Sequence, residues 1–404
     1  MELVKKNNIG FIFLLTFGYI FSYSFAILVN ADSNNYFSVP FRITVLLLGC
    51  YVIYQNFENI KKRKFTIICT FLFWMFYLFK AIYSFKNDTY LPDTINEENR
   101  TYIRIIFLNL IPYIAVLGIS FTKEITVKLN SLIFNFLLII LGVSCLWTIF
   151  VFQHFEKSSG IFVSYYISVG HYGLSLLILS IFYYFQSPQK WLKPILGTLI
   201  GGFTIFSSSA RSPMLAAFII LLVLLLYINK IKYWIALVAF ALIFIISIYF
   251  LKQTSASDFE FVNRMYNAIF EGNGGGRSYY LLKGWNVFKD NIPFGGRILF
   301  EDGMYPHNIF VEVLMSMGIV GVILLFFYFK DFGKFKIRYI KKNICYLPFF
   351  LFFIQYFVLV LTSYSIFANM EFWSFTAVII SIILFCYDEE IKSNDSRRNT
   401  TGNH

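Results

Sequence analysis

Long runs of apolar residues, each about the length of a membrane span, fill most of this chain. A helix needs roughly 20 apolar residues to cross the hydrocarbon core of a bilayer, and most of the runs are near that length. Together they predict an all-α integral membrane protein with twelve transmembrane helices. The predicted spans cover residues 9–29, 40–57, 65–86, 103–121, 131–152, 168–186, 193–207, 213–228, 232–251, 307–329, 345–363 and 367–387.

The composition supports this interpretation. Of 404 residues, 58% are hydrophobic, 21% are aromatic and only 14% are charged, which is far too apolar for a water-soluble domain. We therefore expect one polytopic membrane domain over residues 1–404, with a polar tail at 388–404 whose composition predicts disorder. The first apolar run is long enough to span and no cleavage site clearly follows it, which indicates a signal anchor. The cysteines show no metal-ligand spacing.

The distribution of lysine and arginine predicts the orientation. Short loops rich in these residues stay on the cytoplasmic side, and here they alternate with loops that are poor in them. This pattern predicts cytoplasmic termini, a location in the bacterial inner membrane, and a large periplasmic loop at residues 252–306. The formal net charge of +12 follows from this asymmetry. Because no aromatic-interleaved basic patch accompanies the charge, we expect no nucleic-acid partner.

Polar residues gather in the 252–306 loop and beside it, so we look for a site there. A loop this long is usually functional. Gly272 and Gly274 to Gly276 precede Arg277, which starts an amphipathic pattern that predicts an interfacial helix. Arg264 lies in the same loop and joins Arg277 among the candidate substrate-binding residues.

The seventh and eighth spans are short, which predicts a hairpin whose tip is recessed below the outer surface. The tip carries Arg211, followed by Ser212 as the expected N-cap and Pro213 as the expected first helical residue. A guanidinium group beside a positive helix end makes an anion site. The alternative is an arginine that only anchors its helix at the membrane interface.

The tenth span is predicted to start at Pro306 with His307 in its first turn, where the positive helix end favours a neutral imidazole. A neutral histidine at the outer surface is able to accept a proton, although a histidine that only caps the loop is the alternative. Asn308 and Glu312 lie four residues apart and are expected to share one face beside it, where both are candidate substrate-binding residues. His171, expected in the first turn of the sixth span, is a further candidate to face a sugar or, alternatively, an anchoring group.

Three segments, in this order, resemble the O-antigen ligase/polymerase superfamily over roughly residues 195–325. They are Ser209-Ala210-Arg211, then Gly276-Arg277 followed by Trp285 and Pro293-Phe294-Gly295, and finally Pro306-His307-Asn308 with Gly318 and Gly321. The resemblance implies a metal-independent, inverting glycosyltransferase of the GT-C type that uses no cofactor. It also implies action on the outer face on glycans carried by undecaprenyl diphosphate.

The resemblance further implies that Arg211 and Arg277 clamp the diphosphate while His307 lies beside the acceptor. The polymerase branch joins repeat units, and the ligase branch moves the finished glycan to lipid A-core. The Tyr-Pro-His-Asn run and the Ala-Arg-Ser-Pro hairpin favour the polymerase, whose partners would be lipid-linked oligosaccharides, membrane lipid, a chain-length regulator and a flippase. A lipid-linked sugar flippase is the alternative from another class, but transporters usually place ionisable groups near the membrane midplane.

Overall fold

The computed structural model describes residues 2–20, 35–152, 166–254, 259–272 and 276–401. The fold is 85% helical and contains no strand in these ranges. Ten helices within them are long and apolar enough to cross a membrane. The expected all-α integral membrane fold is therefore confirmed.

We number the main helices α1 to α14 in chain order, and short helical turns connect several of them. They are α1 (Glu2–Phe13), α2 (Asn35–Gln55), α3 (Lys64–Asn87), α4 (Pro92–Gly118), α5 (Lys123–Trp147), α6 (Tyr166–Gln186), α7 (Leu192–Ser208), α8 (Arg211–Ile228), α9 (Ile231–Lys252), α10 (Glu260–Ile269), α11 (Arg277–Asp290), α12 (Ile309–Tyr328), α13 (Leu347–Thr362) and α14 (Met370–Thr401).

Ten of the predicted spans, all except the first and the seventh, coincide with the long apolar helices. The seventh is α7, which is apolar but has only 17 residues. The first predicted span lies partly outside the described residues. In its described part, α1 continues into a π-helical turn at Leu14–Gly18. α14 extends to Thr401 and includes most of the polar tail, which was expected to be disordered. Disorder of that tail in solution stays a prediction.

Buried polar contacts join the helices at the end of the bundle where lysines and arginines are concentrated, which we call the basic end. Arg63 donates to the hydroxyl of Ser381 at 2.6 Å, and both residues are buried. Asn130 of α5 donates to the carbonyl of Cys345 at 2.8 Å. We call the opposite end, which carries residues 259–272 and 276–308, the loop end.

The helices differ widely in how far they are enclosed by protein. In α14, 78% of the most apolar window is buried, whereas the value for α9 is 6%. The core around α14 is aromatic, and the rings of Trp74 and Trp373 meet edge to face at 5.0 Å. α14 is therefore central, and α9 lies at the periphery, where most of its apolar side chains are not covered by protein.

A break in α12 at Gly318 shapes the loop end. Gly318 has φ 61° and ψ −152°, so the helical hydrogen-bond ladder is interrupted there. The amides of Ile319 and Val320 instead donate to the carbonyls of Ile292 and Pro293, at 3.1 and 3.2 Å. The segment after α11 thus inserts into the break and supplies the acceptors that the helix lacks.

Two further contacts hold this insertion. The amide of Gly296 donates to the carbonyl of Met315 at 2.7 Å, and the ammonium group of Lys80, a buried residue of α3, donates to the carbonyl of Gly295 at 2.9 Å. A Cβ atom on Gly318 would lie 2.5 Å from the nitrogen of Gly295. Gly318 therefore allows the loop to approach the helix closely. The spacing of glycines in the sequence did not predict this contact.

Candidate functional site

Three arginines and one histidine come together at the loop end, carried by α8, α10, α11 and the residues just before α12. Burial lowers the pKa of Arg277, and the positive charges of Arg211 and Arg264 lower it further. Burial likewise lowers the pKa of His307 from 6.5 to about 4, with a second contribution from the charge of Arg277. The four side chains therefore share one electropositive site.

Arg211 occupies the first position of α8, directly after a tight turn. The turn consists of Ser209, which has a left-handed φ of 51°, and Ala210, the N-cap residue, whose side chain makes no capping bond. The helix thus starts two residues before the expected position, and neither Ser212 nor Pro213 has its predicted role. Ser212 is instead buried and pairs with His171. The N-terminus of α8 nevertheless lies at Arg211, as the anion-site hypothesis requires.

His171 lies in the second turn of α6 and has no exposed surface. Its Nε2 atom is 3.0 Å from the Ser212 hydroxyl, and its ring stacks on Tyr356 with centroids 5.7 Å apart. Its backbone carbonyl accepts from the side-chain amide of Gln355 at 2.7 Å. This corrects its expected location: His171 lies behind Arg211 and supports the start of α8, and it is not placed to face a sugar.

Arg277 is the first residue of α11, just as Arg211 is the first of α8. Gly276 precedes it with φ 77°, a conformation that glycine adopts without strain. The Nη2 atom of Arg277 donates to the Ser363 hydroxyl at 3.2 Å. Gly274 and Gly275 lie outside the described residues. α11 is the surface helix that the amphipathic pattern predicted, with Leu282 and Trp285 of its apolar face 65% and 41% exposed.

His307 precedes α12 and does not lie in its first turn as expected. The helix starts at Ile309, and Asn308 is the N-cap, with its side-chain oxygen accepting from the amides of Phe310 and Val311 at 3.1 and 3.3 Å. His307 itself has a left-handed φ of 57°, which is uncommon for a residue other than glycine. Its imidazole is neutral as predicted, but burial and Arg277 cause this rather than the helix end.

Aromatic side chains enclose the imidazole. The ring centroids of Tyr305 and Tyr280 lie 4.5 and 6.1 Å from that of His307. Tyr280 follows Arg277 by three residues on α11 and stacks on Phe300 at 5.7 Å. Because residues three apart on a helix lie on the same side, this ring extends the site from the guanidinium group towards the histidine.

Asn308 and Glu312 do not share a face that opens onto the site. The side-chain amide of Asn308 donates to the carbonyl of Leu361 at 3.4 Å. Glu312 has no exposed surface, and its Oε1 atom accepts from the amide of Ile366 at 2.9 Å. The expected substrate contact of Glu312 is thus replaced by a contact with the turn between α13 and α14.

Arg264 lies in the second turn of α10. One of its terminal nitrogens is 3.7 Å from the carboxylate of Glu260, and its guanidinium group lies over the ring of Tyr166 at 5.5 Å. α10 packs through Phe261 and Met265 against α9 and its neighbours. Arg264 therefore borders the site and contributes charge to it, as its effect on the pKa of Arg277 indicates.

A cavity of about 1210 Å³ adjoins the arginines. Its walls are mainly the apolar side chains of α6, α8, α9 and α10, and its polar lining includes Arg211 and Arg277. An apolar chamber with cationic groups in its lining suits an amphiphile with an anionic head. The spacing of residues in the sequence did not reveal this cavity, because its lining comes from several helices that are distant in sequence, α7 and α13 among them.

Residues 196–326 match a family model described as O-antigen ligase. The match confirms the resemblance to the O-antigen ligase/polymerase superfamily. It includes Arg211, Arg264, Arg277 and His307, and it supports a ligase or polymerase function in surface-polysaccharide processing. No curated protein matches the chain.

Proposed function

We propose that this protein is a polysaccharide polymerase that joins oligosaccharide repeat units carried by undecaprenyl diphosphate. The observation that carries the proposal is the group of Arg211, Arg264 and Arg277 beside His307, next to a large apolar cavity. A lipid-linked glycan has three matching parts: a long apolar chain, a diphosphate and a sugar. The reaction takes place at the outer face of the bacterial inner membrane, as the lysine and arginine pattern predicts.

The arginines bind the diphosphate of the donor. Arg211 and Arg277 each begin a helix, so two positive helix ends add to the two guanidinium groups. Guanidinium groups bind phosphate oxygens in pairs, which fixes the orientation of the anion as well as its position. The polyprenyl chain occupies the apolar cavity, and Arg264 adds long-range attraction.

In the transfer step, an acceptor hydroxyl attacks the anomeric carbon from the face opposite the diphosphate. The new glycosidic bond forms as the bond to phosphate breaks, the electron pair leaves with the phosphate oxygen, and the hydroxyl proton passes to His307. The arginines stabilise the charge that develops on the leaving group. No cofactor takes part in this scheme.

The low pKa of His307 determines how much it contributes as a base. A pKa of about 4 makes the free enzyme's imidazole a weak proton acceptor. Burial is the larger cause of that depression and Arg277 the smaller, so a bound diphosphate that neutralises Arg277 removes only the second contribution to the low pKa of His307. Leaving-group stabilisation therefore supplies the larger share of the acceleration.

A transfer assay tests the proposal. Purified protein in liposomes is given a synthetic undecaprenyl-diphosphate oligosaccharide, and the products are separated by length. A ladder of longer lipid-linked products is expected. The family description favours a second candidate, the ligase, which would leave the oligosaccharide unextended and transfer it only when lipid A-core is added. Movement of the substrate across the membrane without any product would refute both and support a flippase.

A further inference from the structure

Glu312 is a buried carboxyl group close to the candidate site but not exposed to it. It has no exposed surface, and the buried hydroxyl of Tyr77 from α3 lies beside it. Its Oε1 atom accepts from the amide of Ile366 at 2.9 Å. A carboxyl group inside a membrane helix is costly and is usually kept for a function.

The partner of Glu312 is the turn of residues 363–369, which joins α13 to α14. Glu312 of α12 contacts the turn at Ile366, and Asn308, the N-cap of α12, donates to the carbonyl of Leu361 near the end of α13 at 3.4 Å. The indole of Trp373 donates to the carbonyl of Ile366 at 2.7 Å. Both backbone groups of Ile366 are therefore held by side chains, which fixes the turn relative to α12 and α14.

The same turn contacts the arginine site. Ser363, its first residue, is buried, accepts from the Nη2 atom of Arg277 at 3.2 Å, and donates to the carbonyl of Thr362 at 2.7 Å. An arginine side chain has many rotamers, and ordering it costs entropy. A hydroxyl held in place by a rigid turn orders the guanidinium group before any ligand arrives.

We propose that Glu312 is a positioning residue that sets the guanidinium group of Arg277 through this turn. The path runs from the carboxylate to the amide of Ile366 and along the turn to Ser363 and Arg277. The role requires an acceptor for the amide of Ile366 and does not require a negative charge. The proposal rests on the proposed function only for the identity of the ligand that Arg277 binds.

Two measurements on the full-length purified protein test this role. The first is the rate at which phenylglyoxal, an arginine-selective reagent, modifies Arg277, read by peptide mass spectrometry; it requires no substrate. The second is the binding of undecaprenyl diphosphate, followed by native mass spectrometry, together with kcat and KM in the transfer assay. Glu312→Gln keeps the acceptor and Glu312→Ala removes it. Asn130→Ala is the control, because it removes a buried bond between helices at the basic end.

Glu312→Ala and Ser363→Ala are expected to speed modification of Arg277 and to weaken binding of the diphosphate. Misplacing a group by about 1 Å can lower a rate roughly a hundredfold, so a loss of that order in kcat/KM is expected for Glu312→Ala. Glu312→Gln and Asn130→Ala should stay close to wild type in both measurements. In an Arg277→Ala background, Glu312→Ala should add little, because both changes break one path.

Three results would overturn the proposal. Glu312→Gln as defective as Glu312→Ala would show that the charge itself acts. An undiminished effect of Glu312→Ala in the Arg277→Ala background would show a separate role. Unchanged modification of Arg277 in both Glu312→Ala and Ser363→Ala would break the path, and Ser363→Ala decides this even if Glu312→Ala does not fold. Failure of the proposed function is distinguishable, because wild-type protein would then not bind undecaprenyl diphosphate while the modification rates still report on positioning.

Discussion

Replacing Gly318 with alanine should force the 292–296 segment out of the break in α12. The new Cβ atom would lie 2.5 Å from the nitrogen of Gly295, 2.5 Å from the carbonyl oxygen of Ile292 and 2.7 Å from the carbonyl carbon of Pro293. All three are backbone atoms, so no side-chain rotation relieves the overlap. The backbone angles of Gly318, φ 61° and ψ −152°, also lie in a region that is nearly exclusive to glycine.

The expected cost follows from these two effects. Holding alanine in such a backbone conformation costs about 1–3 kcal/mol. If the segment moves away instead, the hydrogen bonds donated by Ile319, Val320 and Gly296 are lost. Each is worth about 1 kcal/mol net, and more where a buried amide stays unpaired. By either route the free energy of unfolding should fall by about 3 kcal/mol.

The assay is thermal unfolding of purified protein in detergent, followed by size-exclusion chromatography, together with the transfer assay. Gly10→Ala in α1 is the matched control, because Gly10 lies outside the candidate site and no heavy atom beyond its own helix and chain neighbours lies within 4 Å of its Cβ position. That substitution should be neutral or stabilising by about 0.4–1 kcal/mol. The segment joins α11, which carries Arg277, to the residues before α12, so Gly318→Ala should lower activity as well. Unfolding temperature and activity equal to those of the Gly10→Ala variant would refute the reasoning.

Four other predictions concern the site and its orientation. Arg211→Ala and Arg277→Ala should each lower activity by about ten- to a hundredfold or more, since charge-assisted hydrogen bonds are worth about 1.5–3 kcal/mol. Replacement by lysine should restore activity only partly. Full activity of both alanine variants at normal abundance would remove the site assignment. The His307→Ala variant should make little polymer but still bind the donor. Polymer of normal length and amount from this variant would show that His307 has only a structural role. Because folding lowers the pKa of His307 from 6.5 to about 4, the folded protein binds this proton less well than the unfolded chain, and stability is lost as pH falls from about 6.5 to about 4. His307→Gln should reduce the change of the unfolding temperature with pH over that window. An unchanged pH profile in this variant would contradict this cause. In a cysteine-free background, an impermeant thiol reagent should label Asp302→Cys from the periplasm but not Ser393→Cys, and the reverse pattern would invert the orientation.

Local sequence was enough to determine the helices. A backbone in lipid must satisfy its hydrogen bonds internally, so an apolar run of sufficient length has little choice but to become a helix. This is why ten predicted spans coincide with long apolar helices. The sequence also pointed to Arg211, Arg277 and His307, because charged groups are rare in such a chain and cluster near one large loop.

Only the tertiary structure decided which way the polar side chains of the spans point. His171 and Glu312 both lie near the start of apolar helices and both were expected at the surface, yet both are fully buried. Lipid tails and protein cores are about equally apolar, so a span that is apolar on all sides carries no amphipathic signal for its rotation. The start of α8 depended in the same way on the fold, because Ser212 pairs with His171 across helices instead of capping its own.

The break at Gly318 shows the same limit over a longer distance. Its partners, Ile292 and Pro293, lie more than 20 residues earlier in the chain and follow a different helix. A glycine in an apolar run permits close packing or a kink equally well, and the choice depends on which segment folds against it. The apolar cavity and the contact of Ser363 with Arg277 arise in this way too: residues distant in sequence meet only once the helices have packed.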